Sequence, residues 1–133
     1  MTLLPVAISA LYAGLLTLLV VLLGLVVINL RRSLRVGIGD GGNHDLARAV
    51  RVHGNAIENI PLFLLLLVMY ELNRGSVTWL HIFGAVFFIS RVVHAWGLFS
   101  SSGASMGRLV GAVGTYACLL GLAISNLVRL FSA

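Results

Sequence analysis

The first quarter of this chain restricts it to one environment. From Leu3 to Leu30 no side chain is charged, and the run closes on Arg31, Arg32 and Arg35. A helix that long, at roughly 1.5 Å per residue, crosses the roughly 30 Å hydrocarbon core of a bilayer. A cleavable signal has a basic start, a shorter apolar core and a small-residue exit. This run starts apolar, is longer, and carries its charges at the far end, so it reads as a retained membrane span.

The rest of the chain repeats the pattern. Hydrophobic residues make up 59% of the sequence and charged residues 10%, outside the usual range of a soluble domain. Further spans are expected over about 46–70, 77–98 and 106–131. Asp45 is the candidate N-cap of the second. The connections are short: a loop with Gly37, Gly39, Gly41 and Gly42, a turn at Asn73, Arg74 and Gly75, and a serine-glycine stretch from Ser100 to Gly103. The glycine loop lacks the Gly-Lys-Ser/Thr pattern and the strand-to-helix context of a phosphate cradle, so it reads as a linker. The expectation is one domain over 1–133, an all-α integral membrane protein folded as a four-transmembrane-helix bundle.

Charge placement gives an orientation. The net charge of +5 comes from nine arginines. Arg31, Arg32, Arg35, Arg48, Arg51, Arg91 and Arg108 lie at the ends joining spans one to two and three to four, whereas Arg74 and Arg129 lie at the other. Arginine excess marks the cytoplasmic side, so both termini are expected outside. Nucleic-acid binding is excluded as a reading, because no basic tail or aromatic-basic array is left to follow phosphates. Cys118, the one cysteine, permits no internal disulfide and reads as a small packing residue. No His-x3-His pair or Cys/His cluster offers ligands for a metal.

Polar residues inside the second span demand explanation, because an ionisable side chain in hydrocarbon must face protein, a partner or water. Arg48, Arg51, Asn55 and Glu58 are spaced three, four and three apart, which keeps them on one helix face. Arg51 and Glu58 lie about 10 Å apart along the axis and are expected to pair elsewhere. One account is a buried ion pair between Glu58 and Arg91 of the third span. The other starts from the surplus of arginines, Arg31, Arg48, Arg51, Arg91 and Arg108, around a single carboxylate; it calls for an anionic ligand. On the third span Arg91 and His94 share a face, with Trp96 and Gly97 just beyond; Trp96 also suits an interface-belt aromatic. Pro61 removes a helix hydrogen bond one turn past Glu58 and predicts a kink there. Gly107, Gly111 and Thr115, and likewise Gly114 and Cys118, follow small-x3-small spacing, suited equally to packing within a subunit or between subunits.

The ordered set Arg48, Arg51, Asn55, Glu58, Pro61, Leu62, Phe63 resembles the second-helix signature of the MAPEG family, the membrane-associated proteins of eicosanoid and glutathione metabolism. The resemblance extends to Arg31, Arg32 and Arg35, to Arg91, His94, Trp96 and Gly97, and to Arg108, and so covers almost the whole chain. It implies a homotrimer in a bacterial cell (inner) membrane, with glutathione bound between subunits near the cytoplasmic surface. Its thiol would be transferred to a lipophilic electrophile or used to reduce a lipid hydroperoxide. By this resemblance Arg51, Asn55, Glu58, Arg91 and His94 bind the tripeptide, Arg31 reaches across from a neighbouring subunit, and Arg108 faces the sulfur as the catalytic residue. Physical chemistry agrees with that role. A thiol with a pKa of ~8.5 is mostly protonated at neutral pH, and an arginine at a predicted helix N-terminus adds a fixed charge to the helix dipole in favour of the thiolate.

The departures narrow the implied activity. Leu98 stands where eicosanoid-forming members place a tyrosine, Asn59 where an aromatic is frequent, and the linker before Arg108 is longer. A general detoxifying transferase or peroxidase fits better than a leukotriene or prostaglandin synthase. Two rivals stay open: a non-catalytic lipid- or glutathione-binding scaffold of the same family, and a small multidrug exporter, which would normally carry an acidic residue in a first span that here has none.

Overall fold

The computed structural model describes residues 5–100 and 105–132. Four helices follow one another: α1 (Ala7–Leu34), α2 (His44–Leu72), α3 (Val77–Ser100) and α4 (Met106–Phe131). Each is long and apolar enough to cross a membrane, and the protein is a four-helix membrane bundle. The start of the first expected span and most of the stretch from Ser100 to Gly103 lie outside the described residues.

Helix α1 packs on α2 and α3, and α4 packs on the same two helices from the other side. The core they enclose includes Leu16, Phe63, Leu67, Phe87 and Leu122, all fully buried. Phe63 and Phe87 stack with ring centroids 3.7 Å apart, joining α2 to α3 at mid-depth. Helix α2 runs through Pro61 without interruption. Cys118 is buried beside the Phe83 carbonyl.

Two caps determine where the polar residues begin. Asn43, not Asp45, caps α2: its side-chain oxygen accepts the N–H groups of Asp45 and Leu46, both at 3.0 Å. Asp45 falls inside the first turn, where its charge favours the helix dipole. Ser105 caps α4 by accepting the Arg108 N–H at 3.3 Å. Helix α1 runs four residues beyond Leu30, so Arg31 and Arg32 are in its last turn.

The small-residue spacing on α4 is used inside the subunit. Gly107, Gly111 and Gly114 all face α3. A Cβ on Gly111 would lie 2.5 Å from the His94 Cβ, and one on Gly97 would lie 2.5 Å from the Arg108 nitrogen. Only hydrogen at these positions lets α3 and α4 approach closely enough to bring His94 and Arg108 together.

The end of the bundle near the chain termini is held by charges used structurally. Glu71, in the last turn of α2, accepts the N–H groups of Ile8 and Ser9 at 3.0 and 2.7 Å, filling the open N-terminus of α1. Arg129 donates to the Asn73 carbonyl at 3.0 Å and lies over the Tyr70 ring at 5.1 Å, tying α4 to the α2–α3 turn.

Candidate functional site

At the opposite end Arg31, Arg51, His94 and Arg108 line two clefts, and Asn55, Glu58 and Arg91 line neither of them. The first, of about 380 Å³, lies between the ends of α3 and α4 and is lined by His94, Ser105, Arg108, Leu109 and Ala112. His94 Nδ1 is 3.1 Å from the Arg108 carbonyl oxygen. A carbonyl only accepts, so Nδ1 carries the hydrogen, and Nε2 of the neutral ring is left as an acceptor. The second cleft, of about 430 Å³, lies between the α1–α2 loop and α2 and is lined by Arg31, Gly39, Asp40, Ala47, Val50, Arg51 and Gly54.

Arg51 and Glu58 pair with each other, contrary to the expectation from axial spacing: Nη1 and Nη2 lie 3.2 and 3.5 Å from the two carboxylate oxygens. Two long side chains reaching toward one another span the two helical turns between them. Both groups are more than half exposed, 62% and 54%, on the outer surface of α2. Glu58 therefore makes no pair with Arg91, which is 3% exposed inside the bundle.

The arginines do not converge on a single carboxylate. Arg48 bonds Asp45 at 2.6 Å and donates to the Phe99 carbonyl at 3.4 Å, clamping α2 to α3. Arg31 Nη1 donates to the carbonyls of Val36, Gly37 and Gly39 at 3.4, 3.2 and 2.9 Å. This folds the glycine loop back over the end of α1 and puts Arg31 beside Arg51 of its own subunit. What remains is arginines divided between the two clefts. Arg108 lines the first cleft and Arg31 and Arg51 the second, all at the same end of the bundle.

Two buried polar atoms at this end have no hydrogen-bond partner among the described residues: Asn55 Oδ1 and Arg91 Nε, both shielded from solvent. The Asn55 backbone carbonyl is occupied, accepting Asn59 Nδ2 at 2.9 Å. An orphaned buried donor or acceptor costs about 1–3 kcal/mol, which favours a ligand or ordered water that supplies the missing bonds. Two lining residues with polar side chains, Ser105 and Asp40, are absent from the sequence expectation. Ser105 had a usable signal, a serine just before an apolar run and three residues ahead of Arg108; Asp40 had none, being one polar residue in a glycine-rich loop.

Residues 9–128 match the MAPEG family. The chain belongs to the MAPEG family. The match runs from the first turn of α1 to the end of α4, so every site residue from Arg31 to Arg108 falls inside it. The MAPEG family includes membrane glutathione transferases and peroxidases. Among relatives, this MAPEG protein is similar to the inner membrane protein YecN of Escherichia coli K12, with 39% identity over 121 residues covering 90% of each chain. It is also similar to the protein sll1147 of Synechocystis, with 32% identity over 126 residues covering 90% of this chain and 91% of that one.

Proposed function

We propose that this MAPEG protein activates the glutathione thiol for attack on lipophilic electrophiles or lipid hydroperoxides. The observation that carries the reading is the cleft in which Arg108, in the first turn of α4, meets His94 with its tautomer set. The Arg108 charge and the α4 dipole both favour a thiolate over a thiol. Two further features support a tripeptide of mixed charge: the second cleft with Arg31 and Arg51, and the orphaned Asn55 Oδ1.

In transfer, the thiol proton passes to solvent, the sulfur forms a bond to the electrophilic carbon, and the leaving group departs with its electron pair. With a hydroperoxide, the sulfur takes the terminal oxygen and an alcohol leaves. A second glutathione then converts the sulfenic acid to disulfide and water. An apolar groove of about 250 Å³ lined by Thr17, Val20, Ile57, Ile60, Pro61 and Leu64 flanks Glu58 and offers the lipid-borne substrate a place beside the polar patch.

The exposed Arg51–Glu58 pair also bears on assembly. Charges on the outer face of a spanning helix call for a neighbour or a ligand, and a homotrimer with the site at its subunit contacts supplies both. The arginine-rich end faces the cytoplasm by the positive-inside rule, and the likeness to the inner membrane protein YecN supports an inner membrane location.

The test is turnover of an activated aryl halide and of a lipid hydroperoxide by purified protein in lipid nanodiscs with glutathione. Saturable turnover that falls on the order of 100-fold in Arg108→Ala, as when one key electrostatic donor is removed, is the expected result. No turnover with either class in the unmodified protein would overturn the enzyme reading; glutathione binding without turnover would leave a non-catalytic binding protein.

A further inference from the structure

The four carboxylates of the chain are employed unequally. Glu71 is taken up by the α1 N-terminus, Asp45 by Arg48 and Glu58 by Arg51. Asp40 is different. Its Oδ1 accepts the Gly42 N–H at 2.9 Å, and among the described residues no cation pairs with it. Yet it lines the 430 Å³ cleft together with Arg31 and Arg51.

Its position is held from both sides. Arg31 donates to the Gly39 carbonyl immediately before it, and Gly39 and Gly41 on either side have φ of +71° and +59°, left-handed values that favour glycine. The loop thus presents a carboxylate, with one oxygen uncommitted, at the rim of a cleft whose other charged groups are guanidinium ions.

We propose that Asp40 recognises the α-ammonium group of the bound thiol, while Arg51 and the remaining N–H groups of Arg31 take the carboxylate on the same carbon. This rests on the glutathione reading, because the γ-glutamyl end of glutathione carries both charges on one carbon. An acid and arginines on one cleft match such a zwitterion. Glu58 serves this role only by giving up its pair with Arg51. The cleft then selects thiols with a free α-amino acid end against those whose amino group is acylated.

The experiment compares glutathione with N-acetylglutathione by calorimetric titration of the full-length protein in nanodiscs, for the unmodified chain and for Asp40→Asn. Asparagine keeps the side-chain oxygen that accepts the Gly42 N–H, and so keeps the turn while removing the charge. The unmodified protein is expected to prefer glutathione by about tenfold or more, the value of a charge-assisted hydrogen bond. Asp40→Asn should bind both thiols alike, with an unchanged melting temperature. Asp40→Glu, which retains the charge, should keep most of the preference. Equal binding of the two thiols by the unmodified protein, or a preference that survives in Asp40→Asn, overturns the assignment while leaving the glutathione reading intact. Equal loss in the Asn and Glu variants with early melting of both makes Asp40 structural and likewise overturns it. Failure of the unmodified protein to bind either thiol removes the glutathione reading and this inference with it.

Discussion

The two ends of the bundle handle charge in opposite ways. Near the chain termini, Glu71 closes the N-terminus of α1 and Arg129 latches α4 to the α2–α3 turn, so both embedded charges join helices. At the loop end, Arg31, Arg48 and the Arg51–Glu58 pair also make internal bonds. There, however, among the described residues Arg91 Nε and Asn55 Oδ1 are enclosed without partners and Asp40 pairs with no cation; the enclosed atoms without partners toward the terminal end, Ser9 Oγ and Asn126 Oδ1, belong to uncharged side chains. Hydrocarbon penalises unmatched charge equally at both ends. The difference teaches that charge at the terminal end serves assembly of the fold, whereas charge at the loop end is left partly unmatched, as the proposed binding of an anionic ligand requires.

Substitutions at the two ends should therefore separate function from stability. The largest effect is expected at Arg108→Ala, with turnover per folded molecule down on the order of 100-fold. Gly97→Ala should come next and affect both properties. Its methyl group meets the Arg108 backbone nitrogen, so α3 and α4 must separate at a cost of about 1–3 kcal/mol; a lower melting temperature and weaker turnover together would bear this out. Glu71→Ala is the converse of Arg108→Ala. It removes the acceptor for two helix N–H groups and should cost about 1–2 kcal/mol in chemical unfolding, while turnover per folded molecule stays the same. Loss of glutathione affinity in that variant would break the comparison. The smallest stability change is expected at Arg91→Met. Replacing a buried guanidinium whose Nε has no partner among the described residues by an apolar chain of similar length should leave the ligand-free protein as stable or more so, whereas a glutathione-saturated sample should lose part of its ligand-induced rise in melting temperature.

The four spans were readable because apolar runs of bilayer length admit few other structures. Residue-level errors arose where side-chain reach or local competition decided the outcome. Asn43 and Asp45 are both good caps two residues apart, and the backbone turn at Asp40 to Asn43 gave the role to the first. Arg51 and Glu58 are two turns apart on one face, and axial distance ignored the length of both side chains. The surplus of arginines in the sequence suggests that Arg48 and Arg31 serve one anionic site, but a nearby carboxylate and three loop carbonyls engage them first. The small residues of α4 fit either kind of helix contact by spacing; only the position of α3 showed that Gly107, Gly111 and Gly114 serve the subunit itself. Asp40 had no periodic signal, since its importance comes from a loop folded onto Arg31 rather than from a place on a helix.

Thiolate absorbance during titration of purified protein with glutathione probes most directly whether the charge surplus at the loop end serves an anion. The predicted result is a saturable thiolate signal at neutral pH that S-methylglutathione displaces and Arg108→Ala lacks. Saturating glutathione binding with no thiolate signal, or a signal unaffected by loss of Arg108, would contradict it.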